Sequence, residues 1–437
     1  MSLARALIIG LSITAGVVTI PLVAPGSTAQ AADEKAGKEE KVGQKVGKPL
    51  QEAQASMQKK QWDAALAKIK EAQAVEKKTP FEEYKINEFL ASVLLNQKKY
   101  GDAANTFENI LNSGFLPAAE VDESVKRLAL LNFQVQRYGK SVDYMKRYLQ
   151  NHPNDVEMQT LLGQAYFVQK DYKSAITATQ GAVATVEKSG KKPDENSLQL
   201  ILRSNYELKD DPGVQAGLEK LVRYYPKPDY WRSLLASVQR NQQSERQSLE
   251  TYRLMLETGI LDQPSQYLEM AQLAMSQGLP GEAQKVMEKG YANGAFGAKA
   301  PAATDPKPAA PTGAGQNGGD QARYERTLTG AKKLAEADKA GLPKLEKEAE
   351  ASSSGQADVA LGIAYLSYEQ YDQAIAALER GINKKTGVKD PDDAQINLGI
   401  AYLRKGDHDK ARAAFKAVKT EGPWMQIAKL WSIRTGG

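Results

Sequence analysis

The sequence predicts an all-α fold, an α-solenoid of antiparallel helix hairpins arranged as two arrays joined by a flexible linker. Three observations carry that expectation. First, a hairpin pattern recurs. Residues 162–183 place Leu162, Gly163 and Tyr166 on one side of a first helix. Ala175, Ile176, Thr179, Ala182 and Val183 follow at helical spacing on a second helix, with Asp171 and Tyr172 at the corner. The order returns with Leu361, Gly362, Tyr365, Tyr371, Ala374 and Leu378, and again with Leu398, Gly399, Tyr402, Ala411 and Phe415. Second, the units are periodic. Leu128 and Leu162 stand 34 residues apart, and Ile201, Leu235 and Met270 follow at steps of 39, 34 and 35. Third, Pro153, Pro193-Asp194, Pro226 to Asp229 and Pro391-Asp392 punctuate the units, where one helix must stop and the next can be capped. Gly163 and Ala175 are read as packing residues, because helices approach to roughly 8–10 Å only where side chains are small.

That order of Leu-Gly, Tyr, Ala and aromatic residues, in a unit of about 34 residues, resembles the tetratricopeptide repeat family. The resemblance implies a superhelix whose groove binds other proteins and which performs no catalysis. A solenoid grows by adding units side by side, so 437 residues count repeats and not separate domains.

Taken in order, residues 1–31 read as a signal peptide. Arg5 precedes an apolar run ending near Ala24, and Ala29-Gln30-Ala31 is a small-x-small cleavage site. The alternative is an uncleaved anchor, a role that Ser12, Thr14, Gly16, Thr19 and Pro21 weaken. Past the signal segment no stretch is apolar enough to span a membrane, and the expected location is periplasmic or secreted. Residues 32–48, rich in Lys, Glu, Gly and Ala, read as a disordered leader. An N-terminal array follows over 49–296 with seven hairpins, the first placed at 49–74 with Trp62 at its corner. Residues 297–321, rich in Pro, Ala and Gly, read as the linker. The C-terminal array over 322–437 begins with helices expected at 322–340 and 342–351 and continues with the two clean repeats. It ends in a capping helix opened by Pro423 and carrying Trp424, Ile427, Leu430 and Trp431.

Composition narrows the chemistry. With 58 basic and 53 acidic residues the net charge is +5, which gives no general case for a nucleic-acid partner. The absence of cysteine removes disulfides, thiolate metal sites and thiol nucleophiles together. His152 and His408 lie in different segments, so no zinc site or serine triad follows from local spacing, and turn packing is the expected role of both. Gly313, Gly315 and Gly318 match a dinucleotide fingerprint by letter only, since a Pro/Ala tract replaces the strand that must precede it. Asp390, Asp392 and Asp393 read as helix caps. No catalytic group, metal site or cofactor is expected.

The resemblance assigns the inner wall of the superhelix to the first helix of each hairpin. Residues offset from the packed side are Lys126, Leu130 and Phe133; Thr160, Gln164 and Phe167; Gln199, Arg203 and Tyr206; and Ser233, Ser237 and Arg240. Of these Lys126, Phe133, Gln164, Phe167, Arg203, Tyr206 and Arg240 are the expected partner-binding residues, suited to an extended segment or helix of another protein. Phe133 and Phe167 are equally readable as contacts between neighbouring helices. The Lys and Asn set that clamps a carboxyl terminus in some family members is not recognisable. A different reading, a component binding an exported polymer or its export machinery, draws on Tyr206, Tyr224, Tyr225, Tyr230 and Trp231.

Overall fold

The computed structural model describes residues 41–240, 244–297, 315–384 and 387–436. Among them are twenty helices and no strand, and the chain forms two compact units, Met1–Leu208 and Lys209–Gly437. The signal segment expected at 1–31 and the leader up to residue 40 lie outside the described residues.

The first unit holds α1 (Gln44–Gln58), α2 (Trp62–Gln73), α3 (Pro80–Asn96), α4 (Tyr100–Asn112), α5 (Ala118–Gln134), α6 (Tyr138–Asn151), α7 (Val156–Val168), α8 (Tyr172–Lys188) and α9 (Glu195–Leu208). Consecutive helices pack as neighbours around successive apolar clusters. Capping explains where they start. Thr79 and Glu82 form a reciprocal capping box at α3, Asp155 Oδ1 accepts from the Met158 amide at α7, and Asp171 Oδ1 from the Ser174 amide at α8. Each turn within a hairpin contains one residue in the left-handed region, Lys60, Lys98, Gln136 and Lys170, with φ between 56° and 64°. That residue reverses the chain and lets the amides beyond it bond back to the last carbonyls of the first helix, as Asp171 N does to Tyr166 O at 3.0 Å.

The leader is shorter than expected, because α1 starts at Gln44, inside the 32–48 stretch. Val46 supplies the reason. It is buried in a cluster with Leu50, Ala53, Ile69 and Phe89, so the helix gains apolar contact by starting early. The Gly43 amide also donates to Glu82 Oε1 at 2.8 Å, while Glu82 Oε2 accepts from the Thr79 amide at 2.8 Å.

The expected contact at Gly163 is present. Thr179 Oγ1 donates to the Ala175 carbonyl at 2.7 Å directly beneath it, and a methyl at Gly163 would collide with that hydroxyl. Gly362 faces Leu378, and Gly399 faces the ring of Phe415, in the same way. In all three repeats the facing residue stands sixteen positions after the glycine.

The second unit holds α10 (Asp211–Tyr224), α11 (Pro228–Gln239), α12 (Glu245–Glu257), α13 (Pro264–Ser276), α14 (Pro280–Ala292), α15 (Gly315–Ala351), α16 (Gly355–Ser367), α17 (Tyr371–Lys384), α18 (Pro391–Lys405), α19 (His408–Lys416) and α20 (Pro423–Arg434). The linker expected at 297–321 is described only at Gly297 and from Gly315, where α15 has already begun. Helices on both sides of that segment belong to this one unit. The pair of helices expected at 322–340 and 342–351 is a single helix with Pro343 inside it. One backbone hydrogen bond is lost there, and burial of Leu328, Ala331, Ala335, Leu342 and Ala349 offsets the loss.

α20 packs on α18 and α19, with Trp431 stacked on Phe415 at 6.1 Å. It does more than cap, because it also packs against α10, α11 and α12. Lys429 pairs with Glu219 of α10, and Arg434 Nη2 lies 3.1 Å from Glu257 Oε1 of α12. The second unit therefore closes on itself, its last helix joining its first three.

Candidate functional sites

The expected wall residues fall in both units, six in the first and Arg240 in the second. Lys126 on α5 is committed to structure. Its Nζ lies 3.1 Å from Asp155 Oδ2 and 5.2 Å from the centre of the Tyr148 ring, which ties α5 and α6 to the cap of α7. Burial opposes both charges, but the pair and the Met158 amide outweigh it, so the Lys126 ammonium is raised and the Asp155 carboxyl lowered.

Phe133, Phe167 and Tyr206 occupy equivalent places near the ends of α5, α7 and α9. Phe133 and Phe167 are half-buried, and each meets edge-on the aromatic residue five positions later. The ring centroids of Phe133 and Tyr138 are 5.4 Å apart, as are those of Phe167 and Tyr172. Such pairs fix the turn by about 0.5–1.5 kcal/mol each. One edge of each phenylalanine therefore braces its hairpin, while the rest of the ring is part-exposed. At Tyr206 the fifth position onward is Asp211, and Tyr206 is 53% exposed. Arg203 beside it is exposed, Gln164 is half-buried, and Arg240 is exposed at the C-terminal cap of α11.

Trp231, one of the aromatics of the polymer reading, is 3% exposed and belongs to the core. His152 lies at the end of α6, stacked on Tyr148 at 4.4 Å with Nε2 3.0 Å from Asp122 Oδ2. Asp390 caps α18 through the Asp393 amide as expected. Asp392 instead accepts from the amides of Lys419 and Thr420, each at 3.0 Å, and Asp393 turns inward.

The second unit contains a site that local spacing did not show. A cavity of about 560 Å³ opens among α12, α15, α16 and α18. On its polar side Arg253 sits between two carboxylates. Glu282 takes it bidentately, with Nε to Oε1 at 2.7 Å and Nη2 to Oε2 at 2.5 Å, and Glu250 Oε1 accepts from Nη1. Asn397 joins the set across the unit, its Oδ1 accepting from Arg253 at 2.8 Å and its Nδ2 donating to Glu250 at 3.1 Å and to Asp393 at 3.0 Å. Asp393 in turn meets Arg246 at 3.1 Å.

Burial pushes the Glu250 carboxyl up to about 7, because Arg253 lowers it less than burial, Asp393 and Glu282 together raise it. Glu282 is held below the usual carboxylate range. Burial alone would raise it, and the two-pronged grip of Arg253 overrides that. Burial also raises Asp393. Among the described residues no cluster of His, Cys, Asp and Glu has the arrangement of a metal site, and no helix is long and apolar enough to cross a membrane.

Hairpins nested through a recurrent glycine, with side chains displayed from the first helix of each, define an α-solenoid repeat protein. The pattern of the tetratricopeptide repeat family matches residues 126–190 and 359–423, one region in each compact unit. Proteins of this family generally mediate protein–protein interactions. A comparison with curated proteins gives no match. Among solved structures the chain is similar to a tetratricopeptide repeat protein from Parabacteroides merdae, at 12% identity over 82% of this chain and 99% of that one, with a TM-score of 0.31. It is also similar to YrrB, a repeat protein with an unusual peptide-binding site, at 13% identity over 42% and 93% of the two chains with a TM-score of 0.31. MamA from Desulfovibrio magneticus matches at 18% identity over 42% and 94%, with a TM-score of 0.28.

Proposed function

We propose that this chain is a non-catalytic scaffold of a bacterial cell envelope, acting in the periplasm or after secretion, and that its first unit holds a peptide segment or helix of another protein. The carrying observation is the aromatic series Phe133, Phe167 and Tyr206 at equivalent places on three successive first helices, half-buried at two steps and 53% exposed at the third. Rigid aromatic surface beside a guanidinium is the composition that anchors protein interfaces, and Arg203 lies one helical turn before Tyr206. Gln164 adds an amide to the same row, while Lys126 contributes by holding α7 in place. Arg240, in the other unit, is a separate exposed cation.

The test is capture from an envelope extract by the full chain and by a Phe133→Ala/Phe167→Ala/Arg203→Ala variant, with Tyr206→Ala alone as a milder change. The expected result is loss of the captured proteins with the triple variant and reduced yield with the single one. Equal capture by a triple variant with native helicity would overturn the assignment of this row.

A further inference from the structure

We infer that the cavity of the second unit is a binding site for an alkylammonium group, a primary ammonium at the end of an aliphatic stem such as a lysine side chain or a free diamine. Leu345 of α15 and Leu361 and Ile363 of α16 give the cavity apolar lining, and its acids come from both sides, Asp338 and Glu348 on α15 and Glu250 and Asp393 on α12 and α18. The charged lining residues are Arg246 and Arg253 against Glu250, Asp338, Glu348 and Asp393, two positive and four negative. Both arginines already carry partners, since Glu282 grips Arg253 bidentately and Asp393 and Gln277 engage Arg246.

What asks for a donor is Glu250. Its Oε1 accepts from both Arg253 and Asn397, whereas Oε2 is buried without a hydrogen-bond partner, on a residue 1% exposed that lines the cavity. A buried carboxylate oxygen left unbonded is costly, and a cation with N–H donors and no acceptors relieves that cost. An ammonium fits this mixed lining, its stem on the leucines and its head at Glu250. The volume of about 560 Å³ lies within the range of small-ligand pockets, roughly 300–1,000 Å³, and leaves room for more than the stem alone. This site is independent of the aromatic row in the first unit.

The full chain is titrated calorimetrically with three probes: Nα-acetyl-lysine methylamide, the same compound acetylated on Nε, and 1,5-diaminopentane. The expected result is binding of at least one of the two amines and none of the Nε-acetylated compound. Preference for the lysine derivative identifies a protein as the source of the group, and preference for the diamine identifies a small amine. Glu250→Gln should weaken binding by at least about tenfold, the loss expected for one charge-assisted hydrogen bond. Because that substitution also touches the buried network, Ala360→Trp provides a second variant. Ala360 lines the cavity on its exposed side, so an indole there should obstruct entry while thermal unfolding stays unchanged. Failure of both amines to bind, equal binding of the acetylated compound, or undiminished binding by a folded Ala360→Trp variant would each overturn the inference.

Discussion

The two compact units are built from the same hairpin, yet they hold their helices by different means. In the first, helices meet neighbours in sequence through small and apolar side chains, as at Gly163 over Thr179. In the second, Arg253 and Asn397 bond across 144 residues of chain, and Arg434 reaches Glu257 across 177. An array that only adds units requires local periodicity alone. One that returns to its own beginning must also satisfy polar groups wherever distant helices meet.

The largest test of that contrast is Arg253→Ala. It strands Glu250 and Glu282 in the interior and should cost about 3–5 kcal/mol, confined to the second unit. Tryptophan emission in a Trp62→Phe background reports the second unit, because Trp231, Trp424 and Trp431 all lie there. A urea midpoint moved by less than about 1 kcal/mol of equivalent stability would mean that the network is not what closes the unit.

Gly163→Leu probes the other mechanism. Overpacking against Thr179 should destabilise the first unit by ~1–3 kcal/mol or more and leave the emission of the second unchanged. A variant with unaltered melting would remove the close approach from the account of the hairpin.

The pH dependence of the second unit gives a finer comparison. Glu250 binds its proton more tightly folded than unfolded, so its contribution to stability falls as pH rises from the ordinary carboxylate range to about 7. Glu282 acts oppositely, its contribution present at neutral pH and lost as pH falls. Urea unfolding at about pH 5 and about pH 8 should show a smaller change in Glu250→Gln than in the wild type, and an identical change would rule out Glu250 as the titrating group.

The smallest effect is at the turns. Lys170 holds φ 64°, a strained region for any residue with a Cβ, so Lys170→Gly should stabilise the first unit by ~0.5–1 kcal/mol. Gly406, at φ 94° in the corresponding turn of the second unit, should lose a similar amount on change to Ala, as thermal melts of both variants would show.

The same contrast explains what was legible in the sequence. Gly163, Gly362 and Gly399 announced their hairpins because the residue each one accommodates lies sixteen positions away, within reach of a periodic pattern. Pro423 and Trp431 announced a cap for a similar reason. α12 was misleading. Leu249, Tyr252 and Leu256 give it one apolar face and nothing in their spacing singles out Glu250 or Arg253, yet residues 249–255 are all buried. Local spacing shows which face a helix buries first and is silent about a second partner arriving some 140 residues later. Val46 was missed on a smaller scale, as a single apolar residue amid lysines and glycines has no period to reveal it. At the aromatic row, spacing put Phe133, Phe167 and Tyr206 at equivalent positions, but the bracing by Tyr138 and Tyr172 that separates the first two from Tyr206 shows only in three dimensions.

The place of α20 has a consequence for synthesis. Its twelve residues complete a core begun by α10, more than two hundred positions earlier, so a growing chain can finish the first unit long before the second has its closing piece. Until those residues emerge, the faces of α10, α11 and α12 that α20 meets stay uncovered. A ribosome stalled shortly before Pro423 would hold one finished half and one unfinished half on the same thread.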